Sequence, residues 1–420
     1  MNKLRIIKDF IYKRWLKKFR NRREVQQYQA AKLKKQLAYM EKKSPYFARR
    51  GTKDLPVMNK QFMMEHFDEL NTVGVKMEQA MKIALKAERS RDFTPRCGEV
   101  SVGLSSGTSG HRGLFLSTAK EQELWAANVC AKLLPKGKIW GNRVAFFLRS
   151  DNNLYQSVNS PALEYRYFDT SLSPAGHVPI LNQYQPTLLI APPSMLVALA
   201  GYAETGELKI RPLKIISVAE ILEEADKKYL QKAFAQKVIH QVYQATEGFL
   251  ACTCAYGNLH INEDLVIVKK KYLDKNRFYP GITDLERTSQ PMLNYELNDI
   301  LVEDRRPCPC GSPFLRIKRI EGRADDIFVF YGKEGGKVRI FPDFIRRVML
   351  FVDGIREYQV IQVRPDLLQI AANDLTEKQK QMVMDEFCRL AAENDFIPPE
   401  LEFIPYQWDS KVKLKRIRRL

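Results

Sequence analysis

LSSGTSGHRG, running from Leu104 to Gly113, is the stretch on which the reading of this chain turns. Small residues let backbone N–H groups come close to an anion, and the hydroxyls of Ser105, Ser106, Thr108 and Ser109 add further donors. Gly107 and Gly110 keep the run free of bulk, and Arg112 adds a fixed positive charge. The run is not a Walker loop, because GxxxxGK[ST] is absent. A plain surface loop has a similar composition, so its meaning depends on what accompanies it.

Two segments accompany it. YQATEG at Tyr243 to Gly248 and IEGRADDIF at Ile320 to Phe328 follow in order, at spacings of about 135 and 75 residues. Together the three motifs resemble the adenylate-forming (acyl-CoA synthetase-like) superfamily, in its phenylacetate-CoA ligase and capsule-protein-K-like branch. KLKKQLAYMEKKSPYF at Lys32 to Phe47 is similar to the lead-in of that branch, so the resemblance runs from about Lys32 to the C-terminus. It implies an α/β fold: a large adenylate-forming N-terminal domain with several sheets flanked by helices, plus a small mobile α+β C-terminal domain. The corresponding division is 1–30 for a basic amphipathic N-terminal helix, 31–324 for the large ATP-binding domain and 325–420 for the small lid domain.

The residue pattern agrees with such a plan. Val144–Leu148, Thr187–Ala191, Leu213–Ala219 and Lys237–Tyr243 are apolar enough for buried strands, and residues 194–205 and 220–235 between them read as helices. Residues 260–270 and 291–304 alternate more evenly, which predicts antiparallel strands. Beyond Asp326 the style changes to a small α+β unit, with a helix in IFPDFIRRVMLFV, strands in EYQVIQVRP and LLQIAAN, and an amphipathic helix over residues 376–394.

What the resemblance implies chemically is ATP- and magnesium-dependent activation of a carboxylic acid, followed by transfer to the thiol of coenzyme A. Ser105, Ser106, Gly107, Thr108, Ser109, Gly110 and Arg112 would hold the β- and γ-phosphates, although His-Arg-Gly stands where the family often has Pro-Lys-Gly. Tyr243 would lie against adenine, Thr246 on the α-phosphate and Glu247 on magnesium. Taken alone, YQATEG also fits a strand end followed by a helix N-cap. In SVAEIL, Ala219 and Glu220 would line the adenine pocket. Asp299 would take the ribose hydroxyls, with Asn298 in place of the family's glycine; Arg323 would contact ribose or phosphate, and Asp325 would be the hinge. Lys413, in preference to Lys411 or Lys415, would neutralise charge during adenylation; a solvated basic tail is the alternative. Gly335 and Gly336 suit a loop beside a pantetheine arm. Carrier-protein thiols or transfer of AMP to a cofactor stay open as alternatives, and Arg149, Asn152 and Asn153 would make a more polar acid pocket, which argues against phenylacetate, or merely a polar turn capping the next helix.

Five of the seven cysteines are informative. Cys254, His260, Cys308 and Cys310, with Cys252 as a substitute, could form a tetrahedral site for structural zinc; the branch is similar in having a Cys…His…Cys-Pro-Cys arrangement. Free buried thiols are the plain alternative.

The formal charge of +19 is concentrated at the ends. Residues 1–23 hold ten basic side chains and one acid, Asp9, and residues 411–420 hold six basic ones, which leaves +4 for the 387 residues between. That distribution argues against nucleic acid as a partner. Leu4, Ile7, Ile11, Trp15 and Phe19 recur at helical spacing among Lys and Arg. Either this helix docks on the protein body with its basic face solvated, or it lies on an anionic membrane. A catalytically inactive, membrane-peripheral relative is the rival reading of the whole chain. The longest apolar run is broken by Pro192 and Pro193, and residues 1–23 lack the features of a secretory signal, so a cytoplasmic, at most membrane-peripheral, protein is expected.

Overall fold

The structure is a computed structural model that describes residues 2–90, 96–104, 113–148, 163–170, 172–323, 326–355, 357–407 and 415–420. It has the α/β fold anticipated above, and the chain divides into two compact units. The first comprises Met1–Leu297 and Glu303–Lys318; the second comprises Asn298–Val302 and Arg319–Leu420.

The centre of the first unit is a run of five parallel strands, Asn142–Leu148, Leu163–Asp169, Leu188–Ala191, Lys214–Ser217 and Ile239–Ala245. Their spatial order is second, first, third, fourth, fifth. Helices Pro174–Tyr184, Pro193–Glu204 and Glu224–Ala233 connect them, as parallel pairing requires. Ala145, Phe147, Leu189, Ala191, Ile215 and Ile239 pack with Leu181, Leu196, Leu199 and Leu230 from those helices. This is why the strands read as nearly continuous apolar runs. The fifth strand then turns directly into the antiparallel strand Gly248–Thr253, which pairs with Leu259–Ile261. His260–Lys270 thus holds two strands rather than one, because residues 262–265 turn between Leu259–Ile261 and Val266–Tyr272.

LSSGTSGHRG connects the strands Val100–Leu104 and Leu114–Ser117, which pair antiparallel with Leu104 opposite Leu114. Gly103 leaves room for the Phe115 ring across the pair, since a Cβ there would lie 2.1 Å from it and the ring would have to move. Directly afterwards Thr118 caps the helix Ala119–Leu133 in a reciprocal box with Glu121. The Glu121 carboxylate also accepts from the backbone N–H groups of Thr288 at 2.6 Å and Ser289 at 2.7 Å, and from the Ser289 hydroxyl at 2.7 Å. Burial alone would raise the pKa of Glu121, but these donors hold it below its ordinary value.

The N-terminal segment is a helix over Lys3–Ile11 continued by one π-helical turn, Tyr12–Leu16. A new helix, Arg22–Lys43, starts before the expected boundary at residue 30. The segment docks on the first unit, but by the opposite face from the one expected. Arg5 pairs with buried Glu123 at 3.0 Å, Lys13 with Glu286 at 2.7 Å, and Lys17 with Asp264 at 3.5 Å. Arg14 donates to the carbonyls of Ala131, Leu134 and Pro135, capping the C-terminal end of the helix Ala119–Leu133. The reason is electrostatic. Three carboxylates with little access to water, and a set of helix-end carbonyls, require cationic partners that an apolar stripe cannot supply.

In the second unit the strands Glu400–Ile404, Leu367–Ala372, Tyr358–Arg364 and Ile417–Arg419 form one sheet in that order, with the helices Pro342–Leu350 and Glu377–Glu393. Phe328, Phe330, Val360, Ile370, Phe387 and Phe396 form its core. Phe330 and Phe396 stack with ring centroids 4.4 Å apart. Gly335 and Gly336, both at positive φ, turn the hairpin Phe328–Tyr331/Lys337–Ile340. Among the described residues, no helix is long and apolar enough to cross a membrane.

Glu121→Ala, by orphaning several buried donors, is expected to lower the unfolding free energy by about 3 kcal/mol, and Glu121→Gln by less. Denaturant titration followed by tryptophan fluorescence checks both.

Candidate functional site

Parallel strands end on one side of their sheet, and in open α/β sheets ligands settle outside those carboxyl ends where the strand order reverses. Here the reversal lies between the strands Asn142–Leu148 and Leu188–Ala191. Among the described segments that emerge at this edge are residues 191–194, 217–220 and 245–247. The last two carry the sequence motifs.

After Ser217 the chain makes a tight turn. Val218 donates to the Ala191 carbonyl at 3.1 Å, Ala219 adopts the left-handed region at φ 67°, and the N–H of Glu220 returns to the Val218 carbonyl at 2.8 Å. That turn delivers the Glu220 carboxylate to the backbone N–H of Ser194 at 3.2 Å, in the first turn of the helix Pro193–Glu204. A carboxylate is favoured there by the helix dipole. Ala219 itself is exposed at the edge.

In YQATEG, Tyr243 is buried on the fifth strand opposite Ala251, and the pairing shifts register just after it. Thr246 and Glu247 form the turn of a β-hairpin, with Ala245 opposite Gly248. The helix N-cap alternative is therefore overturned: the chain reverses into a strand. Gly248, at φ 151°, leaves room for the Asp284 carboxylate, which would lie 3.1 Å from a Cβ at that position. Two residues that the sequence reading missed support the turn. Arg287 donates to the Thr246 carbonyl at 2.7 Å, and its Nη1 is buried without a hydrogen-bond partner among the described residues. Tyr295 hydrogen-bonds Glu247; burial first, and then the Glu247 charge and that bond, hold its phenol protonated far above the ordinary range. Burial likewise raises the Asp284 carboxyl, with Arg287 opposing. Tyr295 lies only four residues before Asp299, so its closeness to a recognised motif was the available signal.

Asp299 and Arg323 meet within the second unit, with Arg323 Nε 3.8 Å from Asp299 Oδ1. Lys415 pairs with Asp326 at 3.1 Å in the same unit. Ser105, Ser106, Gly107, Thr108, Ser109, Gly110, Arg112, Asp325 and Lys413, together with Arg149, Asn152 and Asn153, lie outside the described residues.

Cys254, His260, Cys308 and Cys310 converge in the first unit, with their four ligand atoms all within 4.8 Å of one another. The Cys254 and Cys308 sulfurs are 3.8 Å apart, and Cys310 Sγ is 3.5 Å from His260 Nε2. His260 Nδ1 lies 3.2 Å from the Phe314 carbonyl, which leaves Nε2 to face the sulfurs, and Asn258 donates to Cys308 Sγ at 3.2 Å. Such second partners are what orients metal ligands. Cys252 is not part of the group: its thiol donates to Asn262 at 3.4 Å, and burial raises its pKa. The separation arises because Cys254 lies beyond the strand end at Thr253, in a turn closed by its own N–H on the Asn258 carbonyl.

Beneath the site the fifth strand carries a half-buried histidine. Burial, then the Lys214 charge, lowers His240 from its ordinary 6.5 to about 4, and a hydrogen bond with the Thr253 backbone opposes the shift. Because the folded chain binds this proton less well than the unfolded chain, stability is fully present above pH ~6.5 and falls as pH drops toward ~4. The loss from this group between pH 7 and pH 5 is expected to be about 2 kcal/mol, and His240→Leu should flatten that slope in urea titrations at the two pH values.

No family model matches the chain, and no curated protein matches it in sequence. Solved structures do resemble it. A 2-hydroxyisobutyryl-CoA ligase in the postadenylation state, bound to an acyl-AMP, superposes with a TM-score of 0.70 at 15% identity, covering 97% of this chain and 91% of that one. A fatty acyl-adenylate ligase described with enzymes from E. coli and L. pneumophila gives 0.54 at 13% identity over 75% of this chain and 68% of that one. ATP-bound MatB from Rhodopseudomonas palustris gives 0.54 at 14% identity over 72% and 63%. The chain therefore has the fold of the adenylate-forming ligases.

Proposed function

We propose that this protein activates a carboxylic acid by adenylation and passes the acyl group to the thiol of coenzyme A. In the first half a carboxylate oxygen attacks the α-phosphorus of ATP and the bond to pyrophosphate breaks; in the second a thiol sulfur attacks the acyl carbon and AMP leaves. The observation that carries the reading is the Thr246–Glu247 hairpin turn at the carboxyl edge of the parallel sheet, in a chain of this fold. Phosphoryl transfer asks a protein for positioned donors and charge rather than covalent chemistry.

Thr246 would donate its hydroxyl to the α-phosphate. Glu247 would hold magnesium, since a carboxylate oriented by the Tyr295 hydroxyl is a hard oxygen ligand suited to that ion. The ion, when bound, offsets phosphate charge. Tyr243, Ala219 and Glu220 would border adenine, the Ser105–Gly110 run and Arg112 would take the terminal phosphates, and Asp299 with Arg323 would serve the ribose. Lys413 would supply the mobile cation and Asp325 the hinge. The division into residues 31–324 and 325–420 belongs to the same proposal.

Zinc is the second part of the proposal. Three thiolates, from Cys254, Cys308 and Cys310, and the His260 imidazole provide a soft, tetrahedral donor set that ties residues 254–260 to residues 308–310. Its role would be structural.

Pyrophosphate release from ATP and magnesium with pooled carboxylic acids should be acid-dependent and should fall at least about a hundredfold in Glu247→Gln and in Lys413→Ala. Release that is independent of any acid, or unchanged in both variants, would sink the adenylation reading. Adding coenzyme A then separates a CoA ligase from the other acceptors. Elemental analysis of the purified chain is expected to give close to one zinc, lost together with several degrees of melting temperature in Cys308→Ser/Cys310→Ser. A metal-free chain with reactive thiols at these positions would overturn the zinc proposal.

A further inference from the structure

With Lys13, Arg14 and Lys17 turned inward, the N-terminal segment presents a stripe of apolar residues to solvent. Leu4 is 79% exposed, Ile7 53%, Ile11 44%, Trp15 43% and Leu16 68%, and Tyr12 lies beside them at 49%. In contrast the side chains of Lys13 and Lys17 are only 7% and 5% exposed. This is the reverse of a surface helix on a globular body, where the apolar stripe faces the core. The segment cannot roll over to bury that stripe without stripping Lys13, Arg14 and Lys17 from Glu286, Asp264 and the helix-end carbonyls.

The apolar stripe has a charged border of one sign. Lys3, Lys8, Lys18, Arg20 and Arg23 are exposed, Arg22 is committed to the buried Glu263 carboxylate, and Asp9, the one acid among residues 2–23, is half-buried. An aromatic and aliphatic stripe flanked by exposed lysine and arginine matches the boundary between the headgroups and acyl chains of an anionic bilayer. A protein partner would need a complementary acidic rim around an apolar groove. A lipid surface supplies negative charge over any area. We infer that residues 3–23 form a pre-docked membrane foot. Its inner face is bonded to the first unit, and its outer face inserts Leu4, Ile7, Ile11, Trp15 and Leu16 into anionic lipid while the rim engages phosphates. The inference is independent of the reaction proposed above.

Flotation of the full-length protein tests it, using phosphatidylcholine vesicles with and without roughly 30 mol % phosphatidylserine. The wild type should float with the anionic vesicles at least about tenfold better than with the neutral ones, and less well at high salt. Ile7→Ser/Trp15→Ser should lose about tenfold or more of that partition while the chain stays folded with a melting temperature within a few degrees of the wild type, since the Phe10 ring contact is the packing Trp15 gives up. Lys3→Gln/Lys8→Gln/Lys18→Gln should retain residual, salt-insensitive binding. The inference is overturned if the wild type ignores vesicles of both compositions or if Ile7→Ser/Trp15→Ser floats as the wild type does. It is also overturned if the apolar stripe instead holds a dimer that dissociates in the same double variant on size-exclusion chromatography.

Discussion

Parallel strands can be joined only by crossovers, so every carboxyl end of the five-stranded core is delivered to the same edge. The rest of the first unit follows from that constraint. Each strand terminus leaves backbone groups that the next segment must satisfy, and the connections at Val218–Glu220 and Thr246–Glu247 do so with tight turns. Those turns hold polar side chains where a ligand would lie, while the helices beneath supply apolar bulk and one helix N-terminus. The fourth and fifth strands thereby belong both to the core and to the candidate site. That double use explains why their apolar runs end abruptly in Ser, Glu and Thr.

How much of this was legible follows from the range of the interactions involved. The strands of the parallel core, the helices between them and the helix–strand pattern after Asp326 are local matters of periodicity, so the sequence reading and the structure agree to within a few residues. The hairpin at Thr246 was not legible, because Thr-Glu serves a helix cap and a strand reversal equally well. The reversal goes with Gly248 at φ 151° beneath the Asp284 carboxylate, a contact across nearly forty residues. The supporting roles of Tyr295 and Arg287 depend on the same long-range fold. The four metal-type ligands could be grouped from spacing alone, yet Cys252 could be set apart only once the strand end at Thr253 fixed where Cys254 turns.

The N-terminal segment shows why periodicity names a face without saying which way it points. An apolar stripe normally turns inward because nothing polar competes for the site. Here Glu123, Asp264 and Glu286, together with the end of the helix Ala119–Leu133, compete and prevail. Burial pulls Lys17 down to about 8, and the Asp264 and Glu286 charges oppose that shift. The cost of desolvating one ammonium is offset by carboxylates that would otherwise be isolated.

The π turn at Tyr12–Leu16, closed by the Lys17 N–H on the Tyr12 carbonyl at 2.8 Å, sets the angular phase between the two ends of that segment. Residues before it are tied to Glu123 and residues after it to Asp264, so the turn lies between two anchored points. The segment is in this sense a key cut to length. Many side chains along its outer edge could change without disturbing the fit, but gaining or losing a single residue within the turn would present the wrong edge to the lock.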